Sequence, residues 1–141
     1  MLFLLWRFVP RKQWRQAHVA FLFMQLMTWF LGFLTVELKL LEYPIRLFEY
    51  ASRTNFTFEY FVYPSICVLF NLYYPVKSTL FLKIGYYLCY LVGITSIEVA
   101  LEKYTDLITY LHWNALWTFI SMLVTLFLSR KYFKWFFKFE S

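Results

Sequence analysis

Residues 59–75 read EYFVYPSICVLFNLYYP, and this stretch decides how many times the chain can cross a membrane. It is apolar but short, and it contains prolines at Pro64 and Pro75. If a helix begins near Phe58, Pro64 removes one backbone hydrogen bond and should kink a membrane-crossing helix. If the helix begins at Pro64 instead, only about 11 residues, roughly 16 Å, precede Pro75, and the segment would be re-entrant.

The composition of the whole chain is typical of an integral membrane protein. Of its 141 residues, 62% are hydrophobic, 26% are aromatic and only 16% are charged, whereas a soluble domain carries about 25% charged residues. Four apolar stretches are long enough for the hydrocarbon core, at about 18–37, 58–75, 79–99 and 108–129. We therefore predict an all-α fold, an integral membrane bundle of four transmembrane helices in a single domain, 1–141.

Three further segments flank these crossings. The first ten residues, MLFLLWRFVP, are apolar but too short to cross alone, so they lie in the interface or form a short fifth helix. Residues 40–57 mix aromatic and charged side chains and should lie along the outer interface. The tail 130–141 is basic and aromatic, which suits the inner head-group layer.

The distribution of charge predicts the topology. The segments before the first crossing, after the second and after the fourth are the basic ones, and the net charge is +6. Under the positive-inside rule this pattern places both termini in the cytoplasm. Because the basic residues sit at the ends of apolar stretches, they predict contact with lipid head groups and not with nucleic acid.

Each crossing carries a stripe of small or polar residues at helical spacing. The stripe residues are Gln25, Thr28, Gly32, Pro64, Cys67, Asn71, Gly85, Cys89, Gly93, Ser96, Asn114, Thr118, Ser121 and Thr125. Such stripes favour close helix packing and a polar bundle interior. The alternative is a functional cavity or pore. The third crossing has a second polar face, with Tyr87, Tyr90 and Glu98, which suggests a central helix or a subunit interface.

Ionisable residues within a crossing are candidate functional groups. Glu37 and Glu98 lie near the predicted outer boundary, and Glu102 and Asp106 follow Glu98 at helical spacing. These four residues are a candidate outer cation or proton site, although ordinary pairing with nearby lysines and arginines is the favoured interpretation. The chain shows no zinc-ligand spacing, phosphate loop or nucleophile elbow. We therefore predict no catalytic residue, metal or cofactor.

Several runs of the chain resemble a family of small hypothetical multi-pass membrane proteins from endospore-forming bacilli and clostridia. These runs are AHVAFLFMQLMTWFLGFLTVELKLLEYPIRLF, FTFEYFVYPSICVLFNLYYP, EKYTDLITYLHW and LSRKYFKWFF. The resemblance implies a bacterial cytoplasmic membrane location. It implies no catalytic residue, and a link to sporulation would rest on taxonomic association alone.

The expected function is binding without catalysis. The protein would be an assembly subunit or a self-associating scaffold in a bacterial membrane, with the bilayer and a second copy or another membrane protein as partners. The first alternative is a small channel or transporter-like protein that uses the polar stripes and the outer carboxylates. An enzyme acting on a lipid or isoprenoid ranks third.

Overall fold

The computed structural model describes residues 2–48 and 50–138, except for the side chains of Leu2 and Leu4. Its helices are α1 (Leu2–Phe8), α2 (Trp14–Glu37), α3 (Tyr63–Leu72), α4 (Leu80–Tyr104) and α5 (Ala115–Phe137). A 3-10 turn, Arg11–Gln13, precedes α2, and a π-helical segment, Thr57–Val62, precedes α3. Two short strands are β1 (Leu41–Glu42) and β2 (Thr109–Tyr110). The predicted all-α class is confirmed.

The backbone around Pro64 is helical on both sides of the proline. The π-helical segment runs directly into α3, and the Tyr63 N–H donates to the Phe58 carbonyl, five residues back. A π-turn is a known cause of helix bending. The helix therefore does not begin at Pro64, as the re-entrant alternative required. It ends at Leu72, short of the predicted limit at Pro75.

Two side chains of α2 donate hydrogen bonds to the backbone carbonyls that have no α-helical N–H partner at this bend. Pro64 has no N–H, so an α-helical bond to the Tyr60 carbonyl cannot form; Gln25 Nε2 donates to that oxygen at 2.9 Å. The Glu59 carbonyl accepts from Thr28 Oγ1 at 2.5 Å, which is shorter than the contact of the same hydroxyl with its own helix. The bent helix is thus fixed against α2 by hydrogen bonds as well as by packing.

A two-stranded sheet joins the two connections at one end of the bundle. Helix α2 ends in a Schellman motif, in which Leu40 N–H donates to Thr35 O and Lys39 adopts a positive φ of 53°. This turn leads directly into β1, which pairs antiparallel with β2 through Leu41 opposite Tyr110. We call this the sheet end of the molecule.

Acidic residues are confined to one end of the described chain, whereas basic residues lie at both ends, with Lys39, Arg46, Arg53 and Lys103 at the same end as the acidic ones. Every acidic residue that the structure describes lies at the sheet end: Glu37, Glu42, Glu59, Glu98, Glu102 and Asp106. The opposite end carries basic residues from the N-terminal segment, from the turn between α3 and α4, and from the end of α5. We call this the basic end.

The interior of the bundle is built around Phe70 on α3. This ring is fully buried, and the rings of Tyr87 and Tyr90 from α4 lie 4.9 and 5.3 Å from it. Leu91 and Leu126 complete the apolar contact between α4 and α5. Helix α4 therefore faces the interior with its tyrosine side.

The small-residue stripe of α4 lies on the outside of the chain, which corrects the expectation that it packs in the interior. Gly85, Cys89, Gly93 and Ser96 are all exposed. A Cβ placed on Gly85 or Gly93 would meet no atom within 4 Å. The tyrosines on the opposite side need the interior volume around Phe70, so the small residues are turned outward.

Two helical segments are long and apolar enough to span a membrane, namely Arg11–Glu37 and Leu80–Tyr104. The four-helix membrane bundle is not confirmed. Helix α3 and its π-helical segment are shorter than the predicted crossing 58–75, and α5 begins at Ala115 because β2 and its turns occupy residues before it. Helix α1 has seven residues, about 10 Å, which is too short to cross.

Candidate functional site

A cavity of about 80 Å³ lies at the sheet end, lined by residues of α2, α3, α4, α5 and β1. Two carboxylates, Glu59 and Glu98, contribute to its lining together with the hydroxyls of Tyr43 and Tyr63. No lysine or arginine belongs to the lining among the residues that the structure describes. The cavity therefore gathers two acidic groups without a basic partner.

Glu98 accepts hydrogen bonds from three hydroxyl groups. It is 7% exposed, on the inner side of α4. Tyr63 donates to Oε2 at 2.8 Å, and Tyr110 and Thr118 donate to Oε1 at 2.8 and 2.6 Å. The three donors come from α3, β2 and α5, so the bundle has to assemble before the site exists.

The Thr118 hydroxyl is oriented by a further donor. Trp113 Nε1 donates to Thr118 Oγ1 at 2.8 Å, so the Thr118 proton is directed to Glu98. Asn114 caps α5 through its side-chain oxygen, which accepts from the Trp117 N–H at 3.1 Å. The cap fixes the start of α5 and therefore the position of Thr118 one turn later.

Glu59 is the opposite case, because it is a buried carboxylate without a hydrogen bond. It is 3% exposed, and neither Oε1 nor Oε2 has a partner in the described part of the chain. The Tyr43 and Thr54 hydroxyls and the Asn55 backbone approach the carboxylate, but none of them meets the geometry of a hydrogen bond. A bare buried carboxylate is costly unless it is protonated or paired.

Gly32 makes the room that Glu59 occupies. A Cβ on Gly32 would overlap the carboxylate carbon and both of its oxygens. The glycine lies on α2 one turn after Thr28, which bonds the Glu59 backbone. Thr28 therefore holds the main chain of Glu59, while Gly32 admits its side chain.

The start of the π-helical segment is fixed from the preceding loop. Asn55 is buried, and its Oδ1 accepts from the Phe58 N–H at 3.2 Å. Ser52 accepts from the Thr54 N–H at 3.1 Å and closes the loop before it. These local bonds place Glu59 one turn into the bent helix, facing α2.

Tyr43 lies between the strand β1 and the cavity. It is 6% exposed, and burial, together with the nearby carboxylates of Glu59 and Glu98, raises the pKa of its phenol well above the ordinary value. The phenol therefore stays protonated at physiological pH and remains available as a donor. A rotation of this hydroxyl would bring a hydrogen bond to Glu59 when that group is charged.

The chemistry available to this cavity is the binding of a proton or a small cation. The described residues contain no group of three or more His, Cys, Asp or Glu side chains that could hold a metal ion. A cavity of about 80 Å³ has room for a few water molecules. Glu59 and Glu98 both belong to its lining, so the cavity presents two carboxyl groups to a proton or a small cation.

The structure separates the four residues of the candidate outer ionisable site. Glu98 lies in the cavity, whereas Glu37 and Asp106 are exposed and Glu102 is half-buried outside the lining. Helix α4 ends at Tyr104, so Asp106 cannot continue the same helical face. The candidate site of four residues is corrected to Glu98 with Glu59.

The predicted stripes divide between the cavity, other interior contacts and the surface. Thr28, Gly32, Thr118, Ser121 and Thr125 line the cavity. Pro64, Cys67 and Asn71 are buried, and Gln25 bonds the bent helix. Asn114 is exposed as the cap of α5. The exposed stripe of α4 has been described above.

Asn71 does not reach the groups that the sequence suggested. The stripes predict an interhelical hydrogen bond for Asn71, with Gln25 favoured over Asn114 as its partner, but Asn71 Nδ2 donates to Ser129 Oγ at 2.9 Å. Cys67 Sγ lies 2.9 Å from the same hydroxyl. This buried cluster joins α3 to α5 near the basic end, and both cysteines of the chain are free.

Sequence reasoning missed Glu59 and three of the tyrosines, Tyr43, Tyr63 and Tyr110. Glu59 lies inside the crossing predicted for 58–75. Like Glu98, it is an acidic residue in an apolar run, and this is the signal that could have identified it. No comparable signal marks the tyrosines, since this chain contains 12 of them.

Comparisons of the chain with protein-family models, with curated proteins and with solved structures found no significant match.

Proposed function

We propose that this protein is a multi-pass protein of a bacterial cytoplasmic membrane, with the basic end and both termini on the cytoplasmic side. Only 22% and 11% of the most apolar parts of the two candidate spans are buried in the chain. Helices with so much uncovered apolar surface suit lipid better than water. The distribution of charge supports the orientation, because basic residues favour the cytoplasmic side.

The remaining two helices are proposed to complete the bundle within the bilayer. Helix α5 has 23 residues, about 34 Å, which matches the hydrocarbon core. The bent helix formed by Thr57–Val62 and α3 is shorter, but its polar groups are covered by α2 and α5. Such coverage is what a broken helix at membrane depth requires.

We propose that the function is reversible binding of a proton by the Glu59–Glu98 pair, in a transporter-like protein. One observation carries this proposal. Glu59 is buried without a hydrogen bond, while Glu98 accepts three in the same cavity. The oxygens of Glu98 are therefore already occupied by hydroxyl donors, and Glu59 is the group that is proposed to gain and lose the proton.

The arrangement supports proton binding better than catalysis. A cavity of about 80 Å³ is too small for a lipid head group, and the hydroxyls nearest Glu98 are already committed as donors to it. We accordingly propose no catalytic role.

Proton transport into proteoliposomes tests the proposal. Under a pH gradient, the unmodified protein should show uptake, and Glu59→Gln should reduce it at least tenfold because the amide cannot carry the proton. Glu98→Gln should have a similar effect, since it removes the charge that attracts the proton. Glu37→Gln is the matched control, because Glu37 is exposed at the same end. Equal uptake by Glu59→Gln and Glu37→Gln would contradict the proposal.

A second candidate function is self-association through the exposed face of α4. The specific observation is that Gly85 and Gly93 face outward from an apolar helix with open space around them. In lipid, small residues at this spacing allow two helices to approach closely.

Leucine at Gly93 tests this second candidate. Because the site is open, Gly93→Leu should leave the unfolding temperature of the single chain unchanged and should shift the protein from dimer to monomer in mild detergent. Val92→Leu, on an adjoining exposed position, is the control. An unchanged oligomeric state in Gly93→Leu would exclude this interface.

A further inference from the structure

Arg130 is a buried cation without a carboxylate partner in the described part of the chain. It is 8% exposed, and its Nη1 donates to the Asn71 carbonyl at 3.2 Å. Its guanidinium carbon lies 4.1 Å from the centre of the Tyr74 ring. The Nε atom is buried without a hydrogen bond. The centre of the Phe133 ring lies 5.7 Å from the guanidinium carbon. One carbonyl and two rings offset only part of a full buried charge.

A cavity of about 240 Å³ adjoins this guanidinium at the basic end. Besides Arg130, its lining includes Gln13 and Gln16, which lie near the start of α2, and Asn71 from α3. Each glutamine amide offers two N–H donors. The cavity therefore combines an uncompensated positive charge with further donors.

The lining also contains an acceptor without a partner. Asn71 Nδ2 donates to Ser129 Oγ, but Asn71 Oδ1 is buried and accepts no hydrogen bond. That oxygen has no accessible surface, so a ligand in the cavity is recognised by Arg130 and the glutamine amides and not by Asn71 Oδ1. A ligand that complements the cavity would therefore carry negative charge and several acceptor oxygens, as inorganic phosphate and the phosphate of a phospholipid head group do.

The surroundings favour an anion over any other occupant. Arg7, Arg11, Lys12 and Arg15 precede or begin α2, and Lys131 and Lys134 follow Arg130 on α5. No acidic residue of the described chain lies at this end. The local field therefore concentrates anions near the cavity.

We infer that this cavity binds a phosphate-class anion, with Arg130 as the charge partner and Gln13 and Gln16 as hydrogen-bond donors. The anion comes either from inorganic phosphate or from the head group of an anionic phospholipid. The site is separate from the carboxylate cavity, so it does not depend on proton binding there.

Two binding measurements on the intact protein distinguish these sources. In the first, thermal unfolding in neutral detergent is followed with increasing inorganic phosphate. In the second, native mass spectrometry compares phosphatidylglycerol with phosphatidylcholine retained from mixed nanodiscs. A shift with phosphate alone identifies the free anion, and at least tenfold enrichment of phosphatidylglycerol identifies the lipid.

Variants connect the binding to the cavity. Arg130→Gln should abolish the phosphate shift or the lipid enrichment, whereas Arg15→Gln, an exposed charge at the same end, should retain it. The double variant Gln13→Leu and Gln16→Leu leaves Arg130 in place and should weaken binding at least threefold, so it decides the question if Arg130→Gln does not fold. The inference is overturned if neither anion binds the unmodified protein, or if the double variant and Arg15→Gln bind equally.

Discussion

Gly32 and Glu59 form a complementary pair at the scale of single residues. The space that a side chain on Gly32 would fill is taken by the Glu59 carboxylate. The sequence placed Gly32 correctly on a packing stripe of α2 but could not show that an acidic side chain fills the gap. That information depends on the bend at Pro64, which turns Glu59 toward α2.

Substituting Gly32 by alanine should therefore destabilise the protein. The overlap with Glu59 should cost about 1–3 kcal/mol of unfolding free energy, as overpacking typically does, despite the better helix propensity of alanine. Unfolding by denaturant in detergent would measure this change. Gly85→Ala is the matched control, and it should be neutral or slightly stabilising because nothing lies near that position.

A double-mutant cycle isolates the contact between these two residues. Glu59→Ala removes the carboxylate, so Gly32→Ala should cost much less in that background. If the cost of Gly32→Ala is the same with and without Glu59, the overlap is not its cause.

Ionisation of Tyr43 should lower the free energy of unfolding at alkaline pH. Burial raises the pKa of its phenol in the folded protein, so the folded state keeps the proton while the unfolded chain loses it above about pH 10. The free energy of unfolding should be fully present below that pH and should fall as the pH rises further. The difference between the unmodified protein and Tyr43→Phe, measured from pH 8 to about pH 11, reports this contribution. A constant difference across the range would contradict the assignment.

At the scale of elements, the sequence predicted that the helix bends near Pro64 but not the backbone geometry of the bend. The missing N–H of the proline implied an open carbonyl, and α2 provides Gln25 to bond it. The π-helical segment and the open Glu59 carbonyl were not predictable, because they depend on how the helix packs against Thr28. The sheet between β1 and β2 was also not predicted, since two-residue strands that pair across the chain leave no periodic signal.

The hydrogen bond from Thr28 Oγ1 to the Glu59 carbonyl should contribute more to the free energy of unfolding when Pro64 is present than when it is replaced by alanine. Thr28→Val leaves the Glu59 carbonyl without its donor and should lower the unfolding free energy by about 1–3 kcal/mol. In a Pro64→Ala background the segment can adopt α-helical bonding, in which the Tyr63 N–H donates to the Glu59 carbonyl in place of Phe58, so the same substitution should cost less. Thr35→Val is the control, because that hydroxyl bonds a carbonyl of its own helix. Equal costs in both backgrounds would show that the proline is not the cause.

At the scale of the whole molecule, composition indicated long apolar helices with little of their surface buried, but it did not indicate which helix faces meet. The uncovered apolar surface of α2 and α4 agrees with the high apolar content. The inner face of α4 was not predictable, because both its small stripe and its tyrosine stripe are plausible contacts in lipid. The aromatic cluster around Phe70 selects the tyrosine face.

The proposed orientation predicts opposite accessibility of the two ends. In a Cys89→Ser background, a cysteine replacing Glu42 should react with a membrane-impermeant maleimide in intact bacterial cells. A cysteine replacing Arg15 should react only after the cells are permeabilised. Both positions are exposed in the structure, and the remaining Cys67 is buried. Labelling of both positions from the same side would contradict the orientation.

The uneven distribution of acidic and basic residues also couples the molecule to the membrane potential. Moving one elementary charge across the whole membrane changes its free energy by about 2.3 kcal/mol for every 100 mV of membrane potential. In the proposed orientation, a potential that is negative inside stabilises the basic end at the cytoplasmic face. The same field draws a proton inward from the sheet end, so occupancy of Glu59 should respond to voltage as well as to pH.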